Sequence, residues 1–144
     1  MTRNSRFAVS VHILSYLAYR GGSAVPSAEI AQSVDTNPVV IRRLLSALVK
    51  ARLVFTQKGA TGGFALASTP ENISLLDIYR AVQPKPDHGL RHFSPNPKCP
   101  VGAKIESVLQ MIFFKAQASM EAELSHVNLA FITSQLHAVC TAKK

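Results

Sequence analysis

The sequence predicts a mainly α fold with a small β-hairpin, and two observations carry this prediction. Apolar residues recur at helical spacing over most of the 144 residues, as in amphipathic helices. Two short apolar runs around a glycine-rich tip interrupt that spacing at 53–67, which predicts two paired strands. With 47% hydrophobic and 17% charged residues, the chain is expected to be globular, with one domain and an appended helix.

The first predicted helix runs from Ser5 to Arg20 and ends at Gly21 and Gly22. Its apolar stripe consists of Phe7, Val11, Leu14, Leu17 and Ala18. Basic residues precede this stretch, as in a signal peptide, but polar residues interrupt it and no small-residue cleavage site is clear. We therefore expect an amphipathic helix without export. No apolar run approaches the roughly 20 residues that span a bilayer, so no membrane partner is expected.

The next two predicted helices are separated by a short segment. Ser27 is expected to cap the first, which runs to about Val34. Asn37 is expected to cap the second, with Pro38 at its first helical position. The buried stripe of the second helix is expected to be Leu44, Leu45, Leu48 and Val49. This pattern predicts a helix-turn-helix, whose second helix enters a major groove while the first braces it. An ordinary helical hairpin is the alternative on this pattern alone.

A predicted β-hairpin follows the helix pair directly, which is the position of the wing in a winged helix-turn-helix. Its strands flank the tip "KGATGG" at 58–63. A nucleotide-binding P-loop is not expected. In that motif the lysine follows the glycines and a helix comes next, whereas here the lysine precedes the glycines and a strand comes next. At the tip of a wing, Lys58 and Thr61 can reach phosphate oxygens, and glycines allow a close approach to a DNA backbone. The alternative role of Gly59, Gly62 and Gly63 is turn geometry alone.

Beyond the hairpin, the sequence predicts a helix capped by Ser74, an irregular loop and two more helices. The loop contains five of the eight prolines. A long helical pattern runs from about Val101 to Leu124, and a last helix from about Leu129 to Val139. We therefore divide the chain into a winged helix-turn-helix domain at 1–83, a proline-rich regulatory loop at 84–100, and a dimerisation helix with a C-terminal helix at 101–144. The long helix can fold back on its own domain or pair with a second subunit, and we favour the homodimer.

Charge favours a nucleic-acid partner. The chain has 16 Lys and Arg against 8 Asp and Glu, a formal charge of +8, and residues 1–58 contain eight of the basic residues but only two acidic ones. A basic N-terminal part suits double-stranded DNA, although a solvated basic surface is the alternative. Arginine can read guanine and valine can touch a thymine methyl, and Arg3 and Arg6 are additional phosphate-binding candidates. The expected DNA contacts are Ser27, Asn37, Val39, Val40, Arg42, Arg43, Lys58, Gly59, Thr61 and Gly62. Of the two valines, at least one is expected in the core instead.

From Leu44 to Gln83 the sequence resembles the Rrf-type winged-helix repressors of bacteria. This family includes the iron–sulfur cluster regulator, the nitric-oxide-sensing repressor and the cysteine-metabolism repressor. The shared pattern reads L-x-x-L-x-x-A-G-L-V-x-S-x-R-G-x-x-G-G-Y-x-L-A-x-x-P-x-x-I-x-L-x-D-I-x-x-A. The matching positions are Leu45, Leu48, Ala51, Leu53, Val54, Gly59, Gly62, Gly63, Phe64, Leu66, Ala67, Pro70, Ile73, Leu75, Asp77, Ile78 and Ala81. The resemblance implies a homodimer that represses transcription, often until a redox or nitrosative signal arrives.

Many family members hold an iron–sulfur cluster through three cysteines in the loop before the long helix, and here this chain departs from the pattern. Its loop contains only Cys99, with His88 and His92 upstream. Although histidine replaces cysteine in some clusters, these three residues have no regular spacing. We therefore expect no cofactor and no bound metal, and a cluster-free member of the family.

Cys99 is the candidate redox-sensing residue. A helix start expected at Val101 to Gly102 and the neighbouring Lys98 both favour a thiolate, which oxidants and electrophiles attack. An incidental cysteine is the alternative. Cys140 is expected to be incidental, with pairing to Cys99 of another subunit left open. Two distant cysteines form no disulfide framework, which indicates a reduced, cytoplasmic protein.

An enzyme is not expected, because none of the five histidines has a carboxylate or nucleophile at informative spacing. The remaining rival is a winged-helix module that binds protein and makes no specific contact with DNA. The basic N-terminal part argues against it.

Overall fold

The computed structural model describes residues 3–142, and the side chains from residue 5 onward. Within that range the chain forms six α-helices and one β-hairpin. They are α1 Arg3–Tyr19, α2 Ser27–Val34, α3 Pro38–Lys50, β1 Val54–Gln57, β2 Gly63–Leu66, α4 Leu75–Val82, α5 Ile105–Ser125 and α6 Leu129–Ala142. Short 3₁₀ turns at Pro70–Asn72 and Leu90–His92 precede α4 and α5. The predicted fold class, a mainly α winged helix-turn-helix with a long C-terminal helix, is confirmed.

The described residues up to 84 and from 124 onward form one compact unit. Helices α1 to α4, the hairpin and the start of α6 surround its core. The largest fully buried side chains are Ile13, Leu14, Leu17, Val25, Ile30, Ile41, Leu44, Leu45, Leu48, Ile73, Ile78 and Leu129. Burying each such side chain contributes about 1.5–3 kcal/mol. Because α1, α2 and α3 share this core, the helix-turn-helix is held as one body.

The hairpin is antiparallel, with Val54 opposite Leu66 and Gln57 opposite Gly63. It is fixed to the helices through a bridge in which Val25 and Phe64 exchange backbone hydrogen bonds of 2.9 and 2.8 Å. Gly63 lies where the strand passes Val25: a Cβ there would lie 2.4 Å from the Val25 carbonyl oxygen, and φ is +151°. Only glycine fits this crossing without strain, so the base of the wing has a fixed position on the domain.

Helix α6 joins the same unit by its first turn. The N–H of Leu129 donates to the carbonyl of Ile73 at 2.8 Å, and the N–H of Leu75 donates to the carbonyl of Val127 at 2.8 Å. Leu129 is fully buried. The contacts within the chain therefore group α6 with the N-terminal helices. The division predicted from the sequence, which places residues 101–144 in a region of their own, remains a prediction.

Residues 85–123 form a second unit, made of the proline-rich loop and most of α5. No α5 residue is buried in the single chain. Its exposed large apolar side chains are Val108, Met111, Ile112, Phe114 and Met120. No helix within residues 3–142 is long and apolar enough to cross a membrane.

Two predicted helix ends are correct in detail. Asn37 caps α3, and its side-chain oxygen accepts from the N–H of Val39 at 2.8 Å. Ser74 caps α4 in a capping box with Asp77, with both hydrogen bonds at 3.0 Å. Asn37 thus satisfies one backbone N–H that the helix start leaves without a partner, and the two side chains of the capping box satisfy one each.

Three local predictions were wrong. Ser27 does not cap α2: Pro26 occupies the cap position in an extended conformation, no side-chain hydrogen bond caps the helix, and Ser27 is its first residue. Helix α5 begins at Ile105 instead of Val101, because residues 99–104 form separate turns. In α3 the fourth fully buried stripe position is Ile41, while Val49 is only half-buried.

Candidate nucleic-acid interface

The start of α3 presents two arginines to solvent. Burial of Ile41, Leu44 and Leu45 orients the helix, so that Arg42 and Arg43 both face outward. Val39 is 48% exposed, whereas Val40 is half-buried and packs against the core. One of the two valines therefore belongs partly to the core, as expected. The exposed side chains of the first turns are those that a recognition helix needs for base contacts.

Helix α2 braces α3 and is itself held by α1. Glu29 of α2 forms an ion pair with Arg20, and the hydroxyl of Tyr16 donates to the same carboxylate oxygen at 2.6 Å. His12 lies 3.1 Å from the hydroxyl of Ser33. These contacts fix both ends of α2 on α1. Their residues are distant in sequence, so pattern reading did not reveal them.

A shallow cavity of about 460 Å³ lies at the turn between α2 and α3. Its lining residues are Ala28, Ala31, Gln32, Asp35, Thr36, Asn37 and Pro38. Asp35 ends α2 in the left-handed conformation, with φ 55° and its N–H donating to carbonyls of the last turn. Ser27, half-buried at the opening of α2, lies outside this lining. The small side chains leave the α2–α3 corner open to a molecule that lies across it.

The tip of the hairpin is an exposed turn that carries Lys58 and Thr61. Gly59 has φ 109°, and the N–H of Gly62 donates to the carbonyl of Gly59 at 3.0 Å. A Cβ on Gly62 would lie 2.3 Å from the carbonyl oxygen of Gln57. Turn geometry alone therefore accounts for both glycines. The tip still offers one ammonium and one hydroxyl at the end of a fixed wing.

The remaining phosphate-binding candidates lie on α1. Arg6 is half-buried, and its carbonyl accepts from the hydroxyl of Ser10 at 2.8 Å. The Arg3 side chain lies outside the described side chains.

The proline-rich loop places Cys99 in an exposed turn of its own. The N–H of Cys99 donates to the carbonyl of Asn96 at 3.2 Å, and its carbonyl accepts from Ala103 at 2.9 Å. Hydrogen bonds from the backbone N–H groups of Gly102 and Val101 lower the pKa of the thiol. The thiolate is thus favoured as expected, but through this turn and not through the first turn of α5 or the charge of Lys98.

The three sequence candidates for metal ligation do not come together. Across residues 3–142, no group of three His, Cys, Asp or Glu side chains is arranged to hold a metal ion. The ring of His88 stacks on Phe113, with ring centroids 4.6 Å apart. His92 ends the short 3₁₀ turn. A single thiolate falls short of the ligands that an iron–sulfur cluster requires from one subunit.

Residues 3–135 match the family model of Rrf2, described as an iron-dependent transcriptional regulator. The donor set above does not fit a protein-held iron site in the described chain. YwnA of Bacillus subtilis (strain 168), which is named as an HTH-type transcriptional regulator, is 44% identical over 133 residues, covering 92% of this chain and 98% of YwnA.

Solved structures agree with this family. A crystal structure described as that of a DNA-binding protein is 41% identical, with a TM-score of 0.72 over 88% of this chain and 97% of the other. A crystal structure described as a transcriptional regulator from Lactobacillus plantarum is 30% identical, with a TM-score of 0.81 over 92% of this chain and 89% of the other. The family model covers nearly all of the described residues. This chain belongs to the Rrf2 family of transcriptional regulators.

Proposed function

We propose that the protein is a homodimeric repressor that binds an operator in double-stranded DNA and releases it when Cys99 is modified. One observation carries the DNA-binding part: the second turn of α3 carries exposed Arg42 and Arg43, and α3 belongs to the same packed unit as the wing that carries Lys58. A helix and a wing held together can contact neighbouring parts of one duplex.

The contacts divide by chemistry. Arg42, Arg43 and Val39 lie at the part of α3 that enters a major groove, so they are the candidates for reading bases. Lys58 and Thr61 on the wing, with Ser27 at the first turn of α2, are candidates for phosphate contacts that set the register. Asn37 holds the first turn of α3 by its cap and acts as a positioning residue.

The homodimer is supported by the surface of α5. Two turns of α5 carry four exposed apolar side chains. Val108, Met111 and Ile112 are each about half exposed, and Phe114 is 76% exposed. Exposed apolar side chains on one helix are unfavourable in water, and covering them with a partner lowers the free energy. Pairing of α5 with α5 of a second copy provides that cover, and a two-fold dimer presents two winged helices to two half-sites.

Cys99 supports a redox or electrophile signal because its thiol is exposed and its pKa is lowered by the backbone of its turn. Attack of this thiolate on hydrogen peroxide gives a sulfenic acid and releases hydroxide. The hydrogen bonds from Gly102 and Val101 stabilise the thiolate specifically, so its oxidation changes the turn that precedes α5. In this proposal the repressor holds no cofactor.

The test is a fluorescence anisotropy titration with a labelled duplex of the promoter region of the protein's own gene, and with a shuffled duplex. We expect tighter binding to the promoter duplex, and loss of that preference after peroxide treatment. Cys99→Ser should bind the promoter duplex but ignore peroxide, while Cys140→Ser, the matched control, should respond as the parent does. Equal response of both variants would remove Cys99 from the signal.

One alternative is a winged-helix module that binds protein. Failure to bind either duplex at low salt would favour it over the repressor. A visible spectrum of anaerobically purified protein tests the absence of a cluster, because iron–sulfur clusters absorb at about 320–420 nm. Such bands would overturn the cofactor-free proposal.

A further inference from the structure

The turn between α2 and α3 carries a carboxylate that no contact of the fold uses. Residues 1–58 contain only two acids, Glu29 and Asp35. Glu29 is engaged, because its carboxylate pairs with Arg20 and accepts from the hydroxyl of Tyr16. Asp35 is exposed, and its carboxylate makes no hydrogen bond or ion pair with any residue that the structure describes. This acid therefore stands free on an otherwise basic part of the chain.

The backbone at Asp35 favours glycine. Asp35 follows the last residue of α2, and its φ of 55° and ψ of 52° are left-handed. Its N–H donates to the carbonyl of Gln32 at 3.2 Å, and the N–H of Thr36 donates to the carbonyl of Ala31 at 3.3 Å. These two hydrogen bonds define a helix end at which glycine is preferred, because a side chain strains the left-handed conformation. The side chain of Asp35 gives no cap in return, since Asn37 caps α3.

Asp35 lies beside the residues proposed to meet the major groove. It precedes Asn37 by two residues, so their Cα atoms are at most about 7 Å apart. Both residues line the open corner of about 460 Å³, together with Pro38 and the exposed Gln32. A duplex that receives the start of α3 therefore also meets this carboxylate.

A carboxylate at a DNA interface has few favourable partners. Phosphates repel it, and its oxygens only accept hydrogen bonds. The donors in the major groove are exocyclic amino groups, of which N4 of cytosine suits a carboxylate, while adenine suits an amide side chain. Because specificity is a ratio of affinities, a group that weakens binding to all other sequences raises that ratio.

We propose that Asp35 is a specificity-determining residue, whose carboxylate accepts from the N4 amino group of a cytosine next to the base contacts of α3. Where no such amino group is present, the carboxylate weakens binding. The inference rests on the proposed binding of an operator and deepens it, because it names a base that each half-site presents. Discrimination between sequences then explains why an acid occupies a position that favours glycine.

The test is selection of duplexes by the full-length protein from a pool with a randomised central region, followed by sequencing. The parent should enrich a C·G pair in each half-site that Asp35→Gly no longer enriches, while the other enriched positions stay the same. Asp35→Asn presents an amide, which pairs with adenine, so it should shift the preference at that position to an A·T pair.

Binding to the shuffled duplex gives a second readout by anisotropy titration. Removal of the carboxylate removes its repulsion from phosphates, so Asp35→Asn should bind this duplex about two- to fivefold more tightly at low salt. The difference should shrink as the salt concentration rises. Glu71→Gln is the matched control, because Glu71 is an exposed carboxylate of the same unit outside the corner, and it should bind as the parent does.

Asp35→Gly also separates a role in binding from a role in folding. Glycine relieves the left-handed strain, so this variant should unfold at a higher urea concentration than the parent although its preference for the C·G pair is lost. A purely structural role of Asp35 would instead lower the urea midpoint and weaken binding to all duplexes equally.

Three results would overturn the inference while operator binding stands: identical base preferences of the parent and Asp35→Gly, loss of a preference for an A·T pair instead of a C·G pair, or unchanged binding of Asp35→Asn to the shuffled duplex. A parent that enriches no sequence from the pool would refute operator binding itself, and this inference with it. The two failures are therefore distinguished within one experiment.

Discussion

At the residue scale, Arg42 has the clearest role to test. It is exposed at the second turn of the capped helix α3. If it reads a base, Arg42→Ala should weaken binding to the promoter duplex by about 1–3 kcal/mol and leave binding to a shuffled duplex nearly unchanged. Anisotropy titrations on both duplexes measure this. Lys50→Ala, at the exposed opposite end of α3, is the control and should affect neither; an equal loss on both duplexes for Arg42→Ala would reduce Arg42 to a phosphate contact.

Gly63 shows how one residue fixes the wing. Its φ of +151° is strained for any other residue, and a Cβ would lie 2.4 Å from the Val25 backbone. Gly63→Ala should lower the free energy of unfolding by about 3 kcal/mol or more, measured by urea denaturation. Gly21→Ala is the control, because Gly21 also has a positive φ but open space around it. It should cost only about 1 kcal/mol, and equal losses would show that the contact with Val25 is unimportant.

At the scale of elements, α3 depends on a cap that the sequence reveals. The Asn37 oxygen satisfies the N–H of Val39, and Pro38 needs no partner. Asn37→Ala should lower the free energy of unfolding by about 0.5–2 kcal/mol, and it should also weaken promoter binding, because the first turn of α3 carries the candidate contacts. Asn37→Ser retains a capping oxygen and should restore most of both losses in urea and anisotropy titrations. If serine behaves like alanine, the cap is not what holds this turn.

The accuracy of sequence reading differed between elements for physical reasons. Caps at Asn37 and Ser74 were correct because a cap is encoded within four residues. Ser27 failed as a cap because Pro26, extended at φ −61° and ψ 145°, already occupies that position. The predicted start of α5 was wrong because the residues before it form a separate turn. Asn96 accepts from the N–H of Cys99, and its carbonyl lies close to Gly102.

The candidate DNA contacts and the contacts that hold α2 in place were not equally predictable from the sequence. Arg42, Arg43 and Lys58 follow from helix phase and hairpin position, which are local patterns. The Glu29–Arg20 ion pair joins different helices, so only packing reveals it.

At the scale of the whole molecule, the proposal makes affinity for DNA depend on the pairing of α5. Ile112 lies on α5 and is 51% exposed in the single chain. Ile112→Glu would bury a charge in the α5–α5 contact, so we expect the variant to sediment as a 15.6 kDa monomer and the parent at twice that mass. Lys115→Gln should sediment as the parent does, because it adds no charge to an apolar contact.

Salt dependence links that assembly to DNA binding. Each phosphate contact contributes about −0.9 to the slope of log affinity against log salt concentration. Since a dimer uses two wings and two α2 helices, the monomeric Ile112→Glu variant should show about half the slope of the parent on the same promoter duplex, with weaker binding at every salt concentration. Anisotropy titrations over a series of salt concentrations measure both slopes. A monomeric variant that keeps the full slope would mean that one subunit makes all the phosphate contacts, which would contradict the two-half-site arrangement while leaving DNA binding itself intact.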